Sequence, residues 1–427
     1  MYDPKIESHE SYLNHPLFIN ALQLIDEAGQ LINADPNIIA RLKRPKRIIV
    51  VSVPVRMDDQ KVKVFSGYRV QYNSTLGPYK GGIRYHQDVT LGEVVGLACL
   101  MMLKNSVLGL PYGGGKGGVC VDPQRLSRNE KQSLTRRLTS ELGPFIGPTK
   151  DIPAPDMGTD AQTMAWMMDT YSQEQGFAQP GVVTGKPVEI GGSLGRLGST
   201  GLGVIYVTER LLEKNGLKLA GQRVVVQGFG NVGSHAALYA YERGARVIAV
   251  SDVHGGIFCG DGLPIPKLLD YYNQNKSLKG FERVTEISNE ELLALDTDVL
   301  LPCALEGVIH SQNCKNIRAK FIVEGANGPI TNEASKYLFE KGVQIAPDII
   351  ANGGGVIVSY FEWVQDIMSF FWDEGDINQK LRTIIVQAFD KAWNLAQEKK
   401  VDLRSAAMGV SIARLQKAML LRGLYPR

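Results

Sequence analysis

The sequence predicts an α/β fold with two domains, followed by a helical C-terminal segment. The chain has 427 residues, which is more than one hydrophobic core usually holds. In its second half, short apolar runs alternate with helical stretches, a pattern typical of a parallel sheet with crossover helices. After the glycines at 353–355 the pattern is helical to the end. We therefore expect domains at 1–185 and 186–353, and a segment at 354–427 that packs back between them.

The first domain begins with helix and hairpin patterns. Apolar spacing predicts a helix over 12–33. Strands predicted at 48–55 and 61–72 flank a short polar turn and form a hairpin. Thr90 and Glu93 have the spacing of a capping box, which predicts a helix through residue 103. Apolar residues lie on nearly every face of that helix, so it is expected to be buried, with Lys104 at its end.

The second domain alternates strands and helices around one glycine motif. An apolar run at 224–226 precedes Gly228-Phe229-Gly230-Asn231-Val232-Gly233, and a helical stretch to residue 243 follows. Further strands are predicted at 246–250, 298–301, 321–323 and 343–345. In the C-terminal segment, residues 381–396 repeat apolar side chains at the 3.6-residue period of a helix.

This glycine motif has the context of a dinucleotide-binding turn. Its first glycine permits the turn, its second lets the backbone approach a pyrophosphate, and its third allows close helix–strand packing. The helix N-terminus offers free N–H groups to the phosphates. Asp252, 19 residues beyond Gly233, stands where an acid accepts hydrogen bonds from the adenosine ribose, which favours NAD. His254, Arg223 and Arg246 are expected to offset its charge, so the choice between NAD and NADP stays open.

Composition excludes several classes of function. Lys and Arg total 47, Asp and Glu total 44, and the net charge is +3. The basic run at 41–47 has no interleaved aromatic residues, so we interpret it as a solvated or subunit-contact face and expect no nucleic-acid partner. No apolar run reaches about 18 residues, so no membrane partner is expected. His86 and Asp88 alone are too weak a signal for a metal site, and none is expected.

The five cysteines are scattered and form no CxxC pair. Their odd number and their apolar surroundings indicate reduced thiols, which are typical of a cytoplasmic protein.

One lysine stands in the middle of five glycines, in Gly113-Gly114-Gly115-Lys116-Gly117-Gly118. Glycine lets another molecule approach the main chain closely. The pKa of a lysine amine falls readily when water is removed or another cation is near. The pattern therefore fits a lysine held against a ligand, but it also fits a solvated glycine-rich turn.

Three further residues are candidates for the same site. Asp156 follows Pro153 and Pro155, which stiffen the loop, so its carboxylate suits a proton shuttle or, equally, a helix cap. Lys80 and Lys104 lie with Lys116 within 37 residues. Three lysines so placed supply the cationic ends that a substrate with two carboxylates needs, although lysines are commonly only surface residues.

Taken in order, the motifs resemble the hexameric amino-acid dehydrogenases, and among them the glutamate dehydrogenases. The resemblance covers nearly the whole chain. It rests on the following segments: Gly77-Pro78-Tyr79-Lys80-Gly81-Gly82-Ile83-Arg84, Lys104-Asn105, Pro111-Tyr112 with the glycine run, Pro153-Ala154-Pro155-Asp156-Met157-Gly158-Thr159, Gly191-Gly192-Ser193 with Gly195-Arg196, the 228–233 turn, Glu324-Gly325-Ala326-Asn327, Ala351-Asn352-Gly353-Gly354-Gly355-Val356, and Ser359-Tyr360-Phe361-Glu362-Trp363.

The resemblance implies reversible oxidative deamination of L-glutamate to 2-oxoglutarate and ammonium. It implies that Lys116 activates the attacking water and that Asp156 moves protons to and from the nitrogen. The residues implied to bind substrate are Lys104 at the α-carboxylate, Lys80 and Ser359 at the distal carboxylate, and Arg196 as a support of the site.

The resemblance also implies an NAD or NADP cofactor, a closing cleft between the two domains and a homohexamer. For the cofactor, it implies that Thr200 and Asn352 contact the nicotinamide end and that Asn327 contacts the ribose, in addition to the 228–233 turn and Asp252.

Two alternatives stay open. A dehydrogenase for leucine, valine or phenylalanine would keep Lys104, Lys116 and Asp156 but would need an apolar pocket where Lys80 and Ser359 stand. A nucleotide sensor without enzymatic activity would need neither Lys116 nor Asp156.

Overall fold

The computed structural model describes residues 11–424, and its chain divides into two compact units. The first unit runs to Leu194 and adds residues 359–373 and the chain from Met408 onward. The second unit comprises residues 195–358 and 374–407. The chain therefore passes between the units at more than one point.

Between residues 11 and 194, the first unit contains five α-helices and five strands. They are α1 Pro16–Leu31, α2 Pro36–Leu42, β1 Arg47–Arg56, β2 Val62–Asn73, β3 Tyr79–His86, α3 Leu91–Val107, β4 Gly113–Cys120, α4 Arg128–Leu142, β5 Asp151–Pro155 and α5 Ala161–Gln175.

The first sheet has the order β1-β2-β4-β3-β5. The predicted hairpin is present, with Arg47 opposite Gln71 at its open end. Strand β4 is antiparallel to β2 and parallel to β3, and β3 is also parallel to β5. Helix α3 packs on β4, while α4 and α5 enclose a core with residues such as Val53, Leu138 and Met167.

The second unit begins with another series of alternating helices and strands. It consists of α6 Ser199–Lys214, β6 Arg223–Gln227, α7 Asn231–Glu242, β7 Arg246–Asp252, β8 Gly255–Phe258, α8 Ile265–Asn275, β9 Thr285–Ile287, α9 Asn289–Leu293, β10 Val299–Pro302, β11 Phe321–Val323, α10 Asn332–Glu340, β12 Gln344–Ala346 and α11 Asp348–Ala351.

The second sheet has the order β12-β11-β10-β6-β7-β8-β9. Strands β6, β7, β10, β11 and β12 are parallel, and β8 and β9 are antiparallel additions at one edge. The strand order reverses between β6 and β10, which is the point where doubly wound sheets bind their ligands. The expected α/β class with a Rossmann-like second domain is confirmed.

The C-terminal segment forms α12 Gly354–Met368, α13 Glu374–Lys399 and α14 Leu403–Arg422. We expected residues 354–427 to form one segment that packs back between the domains, whereas the structure divides them, with 359–373 and the chain from Met408 in the first unit and 374–407 in the second. The reason is the apolar face of α13, which packs on α6: a Cβ on Gly203 would lie 3.0 Å from Ile385 Cδ1. From residue 408 onward α14 belongs to the first unit, where the Ser411 hydroxyl bonds the Leu103 carbonyl at 2.9 Å.

Two expected loops are strands instead. The glycine run forms β4, because β2 and β3 pair with it on both sides. Pro153 and Pro155 lie in β5, at the edge of the sheet, where a missing N–H costs no ladder hydrogen bond.

Helix α3 also differs from the expectation at both ends. It continues to Val107, so Lys104 lies inside its last turn rather than after it. Thr90 caps the helix, but Glu93 does not complete a capping box because its carboxylate pairs with Arg84.

In the part of the chain described, 11–424, no helix combines the length and the apolar character needed to cross a bilayer.

Candidate active site

Lys116 and Asp156 are in direct contact in the first unit. Lys116 lies within β4 and is only 7% exposed. Asp156 follows β5 directly, and its Oδ2 accepts from the Lys116 amine. A Cβ on Gly82 would lie 2.8 Å from Asp156 Cβ, so glycine at this position of β3 lets the carboxylate approach. Asp160, not Asp156, is the cap of α5, which removes the helix-cap interpretation of Asp156.

Arg84 fixes the orientation of Asp156, and the sequence reasoning gave it no role. Its Nε and Nη2 donate to Asp156 Oδ1 at 3.3 and 3.2 Å. Its Nη1 donates to Glu93. The Met157 N–H also donates to Asp156 Oδ1, at 2.6 Å. Because these donors hold Oδ1, Oδ2 is the oxygen that faces the Lys116 amine. The sequence feature that could have indicated a role for Arg84 is a charged residue within a strand whose other residues are mostly buried.

The electrostatic surroundings favour the neutral form of the Lys116 amine. Burial, and after it the guanidinium groups of Arg84 and Arg69, lower the pKa of Lys116 to about 7. Glu93 acts in the opposite direction, and Lys104 contributes a smaller lowering. An amine with such a pKa accepts and releases protons near neutral pH.

The other lysines lie near this pair. Lys80 is in β3, opposite Gly114 of β4, and is 1% exposed. Lys104 is half-buried in the last turn of α3, whose Met102 packs against Gly114. Ser359 is buried in α12, in the part of that helix that belongs to the first unit.

In the second unit, the 228–233 turn has the shape that a pyrophosphate requires. Gly228 has a φ of +94°, which only glycine adopts readily. A Cβ on Gly233 would overlap the Gly228 carbonyl oxygen, whereas a Cβ on Gly230 would meet nothing within 4 Å. Gly230 is also the N-cap of α7 and provides no side chain to cap its N–H groups. The turn therefore fits the phosphates of a dinucleotide.

Two side chains of this turn have structural contacts of their own. Phe229 is buried and packs edge-on against Tyr272 with the ring centroids 5.2 Å apart. The Asn231 amide donates to the Leu197 carbonyl at 2.9 Å. Val232 is half-buried.

Asp252 is the last residue of β7, at the carboxyl edge of the sheet. Its oxygens accept from the His254 and Leu278 N–H groups at 2.7 and 2.8 Å, which fixes the carboxylate. The expected offset by Arg223 and Arg246 is wrong. Both begin strands at the opposite edge, and Arg223 pairs with Asp296 and Asp298.

The residues expected at the nicotinamide end also come together in this unit. Asn352 donates to Asn327 Oδ1 at 2.8 Å. A Cβ on Gly355 would lie 2.9 Å from the Thr200 hydroxyl and 3.4 Å from Arg196 Nη1. Arg196 thus lies with the cofactor residues in the second unit, and not in the unit that holds the lysines.

An ion cluster around the buried Glu324 supports the Asn327 segment. Arg404 donates to both oxygens of Glu324 at 2.6 Å and to Asp348 at 3.1 Å. Asp348 in turn accepts from the Gly328 N–H at 2.8 Å. The segment after β11 is therefore held on both sides of Asn327.

Family models match most of the chain. The model described as glutamate/leucine/phenylalanine/valine dehydrogenase matches residues 191–423. The model described as the dimerisation domain of the same dehydrogenases matches residues 45–173.

Individual proteins match over nearly their full length. A glutamate dehydrogenase of Thermotoga maritima is 49% identical over 96% of this chain and 99% of its own. An NAD-specific glutamate dehydrogenase of Staphylococcus aureus is 43% identical, with the same coverage. The crystal structure of a hetero-hexameric glutamate dehydrogenase from Thermus thermophilus, in a leucine-bound form, has a TM-score of 0.91 and 42% identity, covering 97% of this chain and 98% of that one. The chain therefore belongs to the glutamate/leucine/phenylalanine/valine dehydrogenase family.

Proposed function

We propose that this protein catalyses the NAD(P)-dependent, reversible oxidative deamination of L-glutamate to 2-oxoglutarate and ammonium. The observation that carries the proposal is the buried Lys116–Asp156 pair, with Lys80 buried on the adjoining strand. The relatives that match over nearly their full length are named glutamate dehydrogenases, which supports glutamate as the substrate.

Charge is the argument for a substrate with two carboxylates. Lys80 is 1% exposed and lies in β3, the strand that pairs with the one carrying Lys116. This half of the site therefore holds buried positive charge that can pair with a carboxylate group of the substrate. In our proposal Lys80 and Ser359 bind the distal carboxylate of glutamate and Lys104 binds its α-carboxylate. Arg196 belongs to the unit that carries the cofactor residues, so we now propose that it supports that half of the site.

The chain's own residues supply the acid–base chemistry, while a bound nicotinamide accepts the hydride from the substrate Cα. Lys116, neutral above about pH 7, takes a proton from the water that attacks the resulting imine. Lys116 hands that proton to Asp156, which passes it to the nitrogen of the carbinolamine. The nitrogen leaves as ammonia while Lys116 takes the hydroxyl proton and the carbonyl group of 2-oxoglutarate forms, and the ammonia is protonated in solution. Each such proton transfer is typically worth about 10²–10⁴-fold in rate.

We propose NAD as the preferred cofactor. The glycine turn takes the pyrophosphate, with Thr200 and Asn352 at the nicotinamide end and Asn327 at the ribose. Asp252 accepts from the adenosine ribose hydroxyls, and its fixed carboxylate would repel a 2′-phosphate. The kcat/KM measured with NAD is therefore expected to exceed the kcat/KM measured with NADP. The Asp252→Asn variant is expected to show a smaller difference between these two values.

We also propose a homohexamer in the cytoplasm. The dimerisation-domain match at 45–173 and the hexameric relative support the assembly. The five free cysteines support a reducing compartment.

Substrate choice tests the proposal against the leucine alternative. The wild-type kcat/KM for glutamate should exceed that for leucine. Lys80→Met should lower the value for glutamate by about 10²-fold, because a buried charge–carboxylate contact is lost, and leave that for leucine unchanged or higher. The exposed Lys63→Met in β2 is the control and should change neither value. Faster wild-type turnover of leucine would overturn the proposal.

A further inference from the structure

Arg69 is a fully buried cation beneath the proposed lysine site, at 0% exposure. Burying a guanidinium is costly, and a buried ion pair is often replaced by apolar residues without loss of stability. The core of this unit is otherwise rich in aliphatic and aromatic side chains. Stability alone therefore does not account for an arginine in the middle of β2.

The contacts of Arg69 reach across the sheet. Its Nε donates to Asp151 Oδ2 at 2.9 Å, and its Nη2 pairs with the other oxygen of Asp151. Its Nη1 donates to the Gly81 carbonyl at 3.1 Å and to that of Gly82 at 3.4 Å. Gln71 donates to Asp151 at 3.0 Å and keeps that carboxylate in place.

The glycines on both sides of Lys116 make room for this side chain. Because side chains alternate along a strand, Gly115 and Gly117 face away from Lys116. A Cβ on Gly115 would lie 3.2 Å from Arg69 Nη2, and one on Gly117 would lie 3.3 Å from Arg69 Cδ. The arginine thus runs behind β4, on the side opposite the reacting amine.

We propose that Arg69 is a positioning residue whose guanidinium group, reaching from β2, keeps β3, β4 and β5 in register. Strand β3 carries Lys80, β4 carries Lys116, and β5 directly precedes Asp156. Gly81 and Gly82 follow Lys80 in β3, the two glycines flank Lys116 in β4, and Asp151 opens β5. This inference deepens the proposed function and rests on it. Proton transfer between Lys116 and Asp156 depends on their separation, so a small shift between these strands costs rate.

The charge of Arg69 has a second, measurable effect. The charged groups around the Lys116 amine are Lys80 and Arg84 from β3, Glu93 and Lys104 from α3, and Asp156 after β5. Arg69 of β2 adds its charge from behind β4. Burial is the largest cause of the lowered Lys116 pKa, and Arg69 adds to it. Removing this charge should raise that pKa, whereas leaving the charge without its counterion should lower it.

The test uses three variants of the full chain. In Arg69→Met, kcat per folded molecule should fall about tenfold or more, and the acid limb of the kcat/KM profile for glutamate should move to higher pH. In Asp151→Asn, the acid limb should move to lower pH. Arg69→Lys keeps the positive charge but loses the bidentate geometry of the guanidinium group. Its pH profile of kcat/KM should therefore stay near that of the wild type, while kcat falls. If Arg69→Met does not fold, the other two variants carry the test.

The matched control is Lys186→Met, which removes another fully buried, ion-paired cation of the first unit, the partner of Glu362 and Asp366. It should lower the melting temperature without moving the acid limb. Wild-type kcat in folded Arg69→Met and Arg69→Lys would overturn the inference, and so would equal acid limbs in wild type, Arg69→Met and Asp151→Asn.

A second readout separates this inference from the proposed reaction. The pH dependence of Lys116 acetylation by acetic anhydride, measured by mass spectrometry, needs no turnover. If the wild type does not oxidise glutamate, the proposed function fails. Even then, the pH midpoint of Lys116 acetylation has to shift from the wild-type value in opposite directions in Arg69→Met and Asp151→Asn. If it does not, the inference about Arg69 fails as well.

Discussion

At the scale of single residues, the candidate site consists of a few side chains with strict contacts. Asp156 Oδ1 is saturated by Arg84 and by the Met157 N–H. Asp156 Oδ2 is left to face the Lys116 amine. Arg84 is itself held by Glu93. In the proposed mechanism, Oδ2 is therefore the oxygen of Asp156 that would transfer the proton.

Replacing Arg84 tests this arrangement. In Arg84→Met, Asp156 loses two hydrogen bonds, so kcat should fall by about 10–10²-fold while KM for glutamate changes little. The pKa of Lys116 should rise, because a neighbouring cation is gone, so the acid limb of the pH–rate profile moves up. Steady-state kinetics from pH 5.5 to 9, spanning the Lys116 value of about 7, measure both. Arg136→Met, which breaks the half-exposed pair with Asp169, is the control, and wild-type kcat in Arg84→Met would contradict the interpretation.

At the scale of elements, local sequence patterns were sufficient to predict a helix or strand where the residues of that segment favour the structure it adopts. The apolar runs at 224–226 and 246–250 became β6 and β7, and the 61–72 run became β2. Strands β4 and β5 were missed because glycine and proline have low strand propensity, and here neighbouring strands and Arg69 determine the outcome. The pair Arg69–Asp151 joins positions 82 residues apart, and no local signal shows such a contact. For the same reason Lys116 and Asp156 could be proposed individually, but not their contact.

The glycine turn of the second unit gives a prediction at this scale. Gly230 faces open space, so Gly230→Ala should fold normally but place a methyl group where the pyrophosphate approaches. About 1–3 kcal/mol of overpacking would raise the Kd for NAD roughly tenfold. Gly233→Ala should instead lower the melting temperature, since its Cβ would overlap the Gly228 carbonyl. Calorimetric titration with NAD and thermal unfolding distinguish the two, and unchanged affinity in Gly230→Ala would place the phosphates elsewhere.

At the scale of the whole molecule, neither unit is a continuous stretch of chain. Residues 374–407 complete the second unit, and the chain from Met408 completes the first. The middle of α14 packs on the last turn of α3, which carries Lys104: Ser106 donates to the Ser411 carbonyl at 2.8 Å, and Arg414 donates to the Ser106 and Gly109 carbonyls at 3.0 Å each. From Met408 onward α14 therefore supports the substrate half, whereas its first turn, with Arg404, supports the nucleotide half.

Truncation after Ala407 separates these two contributions. The shortened chain keeps every residue of the second unit and should bind NAD with a Kd within about threefold of the full chain, since none of the proposed cofactor residues is removed. It should not oxidise glutamate, because the last turn of α3, with Lys104, loses the helix that covers it. Arg414→Met removes only the bonds to the turn carbonyls and should have an intermediate effect, raising KM for glutamate at unchanged NAD affinity. Calorimetry with NAD and steady-state assays test both proteins. Loss of NAD binding on truncation would show that the nucleotide half depends on residues of the first unit, while full activity would show that the end of α14 does not support Lys104.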